Sequence, residues 1–144
     1  MKIEVKFDGL DSFLNRNGTM PAALVKGVAK TLYEEGERVM TIAKENYVPV
    51  DTGNLRASGY VDQPDYSVGG VTVELGFGGP AGGGNVDGDS NTQDVGYAVY
   101  VHEDLSKHHT VGQAKYLETP IMDEQANIQQ AVEDTARQVL KIDA

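Results

Sequence analysis

"PAALVKGVAKTLYEEGERVMTIAKENY" spans Pro21 to Tyr47, and its periodicity decides the fold. Val25, Val28, Ala29, Leu32, Gly36, Val39, Met40, Ala43 and Tyr47 recur in steps of three and four. That spacing lines one face of an α-helix. Lys26, Lys30, Glu34, Glu35, Glu37, Arg38, Lys44 and Glu45 fall on the opposite face. Thr19 is placed to cap the helix, and Pro21 suits its first turn. At ~1.5 Å per residue the helix is about 40 Å long. That is long for so small a chain, so one end is expected to project or to pack against a neighbouring subunit. Pro49 ends it, because a proline disfavours helix at the residue before it, here Val48.

Outward from this helix the pattern changes to period two. Before it, Ile3, Val5 and Phe7 alternate with Lys2, Glu4 and Lys6, as in a half-buried strand. Leu10, Phe13 and Leu14 then anchor a short helical turn within a polar connection. After it, "DTGNLRASG" reads as one capped turn. Asp51 or Thr52 supplies the cap, Gly53 permits close approach, Leu55 buries beneath, and Gly59 ends the turn. Strands are expected at Tyr60–Gln63, at Val71–Phe77 and at Tyr97–His102, with "PDYSVGG" as a hairpin-type connection. Between the last two strands lies a Gly- and Asp-rich stretch, 78–96, too long for a tight turn and read as an interaction loop. Thr119 as cap and Pro120 at the first position open a final helix, which carries Ile121, Ile128, Val132, Val139 and Leu140 on a looser apolar stripe. The order predicts one α+β domain over 1–144, a small, mostly antiparallel sheet packed by two helices.

Composition narrows the function. The chain has 144 residues, 22 acidic against 12 basic, and a formal charge of -10. No Lys or Arg occurs from Ala57 through Ser106, where Asp62, Asp65, Glu74, Asp87, Asp89, Asp94, Glu103 and Asp104 fall. A protein that neutralises phosphates needs clustered cations, so tight DNA binding is not expected. Cysteine is absent, which removes disulfides, thiolate zinc sites and a cysteine nucleophile. No apolar run reaches the roughly 20 residues of a membrane span, and Met1–Leu10 lacks the apolar core of a signal peptide.

Few residues suggest chemistry. His102, Glu103, His108 and His109 are the metal candidates and the basis of a metal-dependent hydrolase reading. Their spacing differs from a helical zinc motif, which sets two histidines four apart with Glu between. Asp87, Asp89 and Asn91 alternate as in a calcium loop, but Ala98 stands where the bidentate Glu belongs. A calcium-binding interaction module is therefore the alternative reading. The glycines of "GFGGPAGGGN" lack the Lys and Ser/Thr of a phosphate-binding loop, and Ser58, Ser67 and Ser106 lack a nucleophile signature. No enzyme and no cofactor is expected, and the stretch from Tyr97 to Ile121 reads as a strand-to-helix joint.

Three motifs in order carry a resemblance. Pro49, Asp51, Thr52, Gly53, Leu55 and Arg56 follow the long helix; Tyr97, Ala98, Tyr100, Val101 and Glu103 follow the strands; Tyr116, Leu117 and Pro120 lead into the last helix. Together they resemble the small head–tail joining proteins of tailed bacteriophages, variously neck, minor capsid or tail-completion proteins. The Gly-rich insert departs from that pattern, as does "DLSKHH" after Glu103, where many relatives place a glycine–threonine pair. The resemblance implies a virion protein made in the host bacterial cytoplasm. It implies a ring of six or twelve copies of itself that meets adjacent neck, portal-side or tail proteins. DNA passes nearby without tight binding, and no membrane is involved. Pro49, Asp51, Thr52, Gly53, Leu55, Tyr97, Tyr100, Glu103, Tyr116 and Leu117 are then structural or interface residues.

Overall fold

The computed structural model describes residues 2–8, 22–49, 53–67, 70–78, 102–106 and 112–140. In chain order these form β1 (Lys2–Asp8), α1 (Ala22–Ile42), α2 (Asn54–Ala57), β2 (Tyr60–Val61), β3 (Asp65–Ser67), β4 (Gly70–Gly76) and α3 (Glu118–Leu140). The fold is α+β: a small antiparallel sheet with the long α1 and the C-terminal α3 packed against it.

β4 is the strand around which the sheet is built. Its inward residues Val71, Val73 and Leu75 are completely buried. β1 lies antiparallel along one edge, from Lys2↔Gly76 to Asp8↔Gly70. β2 and β3 share the other edge, with Val61 opposite Leu75 and Asp65 opposite Thr72. One more residue is used on the outer strand than on β4 between those pairs, so Asp62–Pro64 forms a bulge. Pro64 has no amide proton to give a ladder, and a bulge is where a sheet tolerates that. The hairpin-type connection read at Pro64–Gly70 thus contains a strand of its own, β3.

α1 forms as the periodicity requires. Val28, Ala29, Leu32, Gly36, Val39 and Met40 are buried, and Leu24 is buried where Val25 was expected to lead the stripe. A single turn of π-helix, Ala43–Tyr47, finishes it, and the Val48 amide donates to the Ala43 carbonyl at 2.8 Å. Val48 is extended, as the residue before Pro49 must be.

α3 runs beside α1, where the length of that helix suggested that one end projects. The two helices run antiparallel along most of their length. Tyr47 Oη reaches Asp123 Oδ2 at 3.3 Å, Arg38 Nη1 reaches Glu124 Oε2 at 2.6 Å, and the Thr31 and Thr135 hydroxyls meet at 2.6 Å. At the far end a Cβ on Gly27 would meet Val139 Cγ2 at 3.1 Å. α3 also begins at Glu118, one residue before the expected cap, so Thr119 and Pro120 lie within its first turn. There Pro120 is tolerated, because its missing N–H is not needed by the helix ladder. Among the described residues no helix is long and apolar enough to cross a membrane.

Several expectations lie outside the described residues: the turn at Leu10–Leu14, the caps at Thr19, Asp51 and Thr52, and the body of the 78–96 loop with Asp87, Asp89 and Asn91. Tyr97, Tyr100, His108 and His109 lie outside them too.

Candidate functional site

Pro49, Glu103 and Tyr116, one described residue from each of the three motifs, meet at a junction at the C-terminal end of α1. Its centre is an aromatic stack. Phe77, just past β4, sits edge-on to Tyr116, with ring centroids 5.1 Å apart. Tyr116 in turn sits edge-on to His102 at 4.9 Å. All three side chains are buried. Edge-to-face contact sets the positive rim of one ring against the electron-rich face of the next.

His102 was expected at the end of a strand. It is helical instead, as is Glu103. Its Nδ1 lies 2.8 Å from Glu103 Oε1, and the Glu118 amide donates to its Nε2 at 3.2 Å. An acceptor at Nε2 must be a bare nitrogen, so the ring proton sits on Nδ1 and is donated to Glu103. His102 therefore serves as the cap of α3, taking one of the amides that every helix N-terminus leaves without an internal partner. The sequence pattern points to Thr119 for that role, and the structure corrects it.

Lys115 completes the arrangement. Its ammonium bonds Glu103 Oε2 and lies 3.1 Å from Glu118 Oε2. Lys115 is the single described non-glycine residue with positive φ, at 56°. Its amide donates to the His102 carbonyl at 2.7 Å, which holds that unfavourable conformation in place. The bond to Lys115, then that to His102, holds the Glu103 carboxyl below its ordinary value of 4.5. The Lys115 ammonium is pushed up, first by Glu103 and then by Glu118.

Two backbone contacts lock the junction. Gly112 has φ 86°, and a Cβ there would lie 2.5 Å from both Pro49 N and Val48 C. The following amide, Gln113 N, donates to the Tyr47 carbonyl at 2.8 Å. Thus Gly112 is pressed against the chain where α1 ends. The "DTGNL" corner divides its glycine roles differently from expectation. Gly53 has φ 87°, and a Cβ there would meet nothing within 4 Å, so it is needed for its backbone angle and not for close approach. Close approach occurs at Gly59, where a Cβ would meet Phe77 Cε1 at 2.7 Å and Met40 Sδ at 2.9 Å. Leu55 is buried as expected. Ser58 is also buried. Its hydroxyl donates to the Leu55 carbonyl at 2.7 Å and accepts from Gly78 N at 3.0 Å, tying α2 to the end of β4.

Chemically, His102, Glu103 and Glu118 present donor atoms of metal-binding type within 4.8 Å of one another. Those donors are already engaged. To ligate through Nδ1, His102 would have to move its proton to Nε2, where it would face the Glu118 amide. The Lys115 ammonium already stands between the two carboxylates. The cluster works as a clasp that ties His102, the Lys115 turn and the start of α3 together. Sequence reading identified Glu103, Tyr116 and Leu117 but missed Gly112 and Lys115. The Gly112–Gln113 pair was the available signal, since a lone glycine shortly before a helix marks a turn or a close approach. No family model, no curated protein and no solved structure matches this chain.

Proposed function

We propose that the chain is a structural subunit of a bacteriophage head–tail connector, a neck or tail-completion ring that assembles around the DNA channel. One observation carries the reading. Pro49, Glu103 and Tyr116, motif residues far apart in sequence, meet in a single junction in which His102, Glu103, Lys115 and Glu118 are bonded to one another. A building block needs such a rigid corner, because ring contacts repeat any error in subunit shape at every interface. The charge fits the same role. At -10 overall, and without a cation from Ala57 through Ser106, the surface repels phosphates, so DNA can slide past without sticking.

An image reconstruction of the neck of the assembled particle tests this. The expected result is ring-shaped density that accommodates β1, α1, β4 and α3 in six or twelve copies, with the acidic residues toward the channel. A neck lacking this chain would overturn the reading, and acidic residues facing outward would remove the DNA-sliding role.

A further inference from the structure

β1, reading KIEVKFD from Lys2 to Asp8, has one edge paired to β4. Among the described residues no strand lies on its other edge. Three observations bear on what belongs there. Burial declines toward it: Val73 and Leu75 are 0% exposed, whereas Val5 and Ile3, their partners on the same face, are half-buried. A groove of about 470 Å³ opens on that side between β1 and α3. Its apolar lining is Val5, Leu32, Ile121, Ile128, Val132 and Met122, and Met122 is 61% exposed. The charges are also unbalanced. Glu4 stands opposite Glu74, and Glu74 already takes Lys2 at 3.5 Å and the Tyr60 hydroxyl at 2.8 Å. Like charges directly opposite destabilise an antiparallel pair.

We propose that a second copy of this chain completes the edge, β1 against β1, antiparallel and centred on Val5. The strand is self-complementary in that register. Lys2 falls opposite Asp8 of the second copy, Ile3 opposite Phe7, and Glu4 opposite Lys6, with Val5 on the two-fold axis. Every charge meets its opposite, and apolar positions meet apolar positions. Centring on Glu4 instead would set Glu4 against itself and Lys2 against Lys6. Centring on Lys6 would set Glu4 against Asp8. A shift by half a step would place charged positions opposite apolar ones and turn them to the wrong face. The register on Val5 also uses all seven residues of the strand.

The contact is isologous, so it closes after two copies and leaves no β1 edge for further growth. Two four-stranded sheets join into one, and both grooves face the two-fold axis. Unpaired edges invite uncontrolled association, and this pairing removes one. The inference stands whether or not the ring reading holds, and a ring formed through other surfaces would have to form beside this contact or open it.

Sedimentation equilibrium of the purified full chain, with charge-swap variants, tests the proposal. The wild type is expected to sediment at twice the 15.5 kDa chain mass. Glu4→Lys and Lys6→Glu each place like charges opposite one another twice per dimer. Each is expected to weaken the dimer at least about tenfold, with an unchanged circular-dichroism spectrum. Mixed together, the two variants pair every charge with its opposite, so a heterodimer of wild-type affinity is expected. A monomeric wild type, a dimer or larger assembly indifferent to these changes, or a mixture that fails to recover would each overturn the proposal.

Discussion

The junction at the end of α1 and the outer edge of β1 are built on opposite terms. At the junction Tyr116, Phe77 and Leu117 are wholly buried, and the His102 ring has both nitrogens engaged within the chain. At β1 Ile3 and Val5 are half-buried, and Glu4 stands opposite Glu74. The comparison separates a part of the chain closed by its own folding from a strand whose outer edge, among the described residues, carries no further strand. The proposed subunit role would use both, a rigid corner and an edge left for a partner.

The largest expected effect breaks the closed side. Tyr116→Ala removes the middle ring of the stack and is expected to cost about 4 kcal/mol, read as a shift in urea midpoint at constant slope. Gly112→Ala follows at about 3 kcal/mol. It combines a left-handed backbone angle with a collision against Val48 and Pro49 backbone, which cannot swing aside as a side-chain tip can. Gly53→Ala has the same strained angle with open space around it, so about 1 kcal/mol is expected, and the difference between the two isolates the collision.

A matched pair sharpens the comparison across the sheet. Val73 and Val5 are opposite one another on neighbouring strands, and they differ in burial. Val73→Ala is expected to cost about 2–3 kcal/mol, and Val5→Ala roughly 1 kcal/mol in the monomer. Equal costs in dilute solution would mean that the β1 side is as closed as the β4 side.

The smallest effect is a pH dependence of the clasp. Glu103 titrates below its ordinary 4.5 in the folded chain, so its contribution is fully present above that value. It is lost as pH falls through the depressed value. Glu103→Gln is therefore expected to lower stability near neutrality, where that contribution is fully present, and to flatten the profile below about pH 4.5, where the two proteins converge. Thermal melts of both proteins over pH 3 to 7, roughly the range in which carboxylates titrate, check this.

The helices were legible because their apolar faces repeat over many turns. Pro49 marked the end of α1 because proline constrains its predecessor whatever the tertiary context. β3 was missed because Asp65–Ser67 is three residues of mixed polarity behind a proline, with no alternation long enough to read. The cap of α3 escaped for a different reason. Thr119 carries the local signal, but the acceptor comes from His102, 16 residues away from Glu118, and no local pattern encodes that distance. The covering of α1 was hidden likewise. Its length suggested an overhang, whereas α3, at 23 residues, runs beside it.

Amide hydrogen exchange of the full chain at low and high protein concentration tests the contrast between closed corner and open edge most directly. The amides of Lys115 and Glu118, which donate to His102, are expected to be protected equally at both concentrations. The β1 amides that do not donate to β4 are expected to exchange freely when dilute and to become protected when concentrated. Fast exchange at Lys115 and Glu118, or β1 protection that ignores concentration, would contradict it.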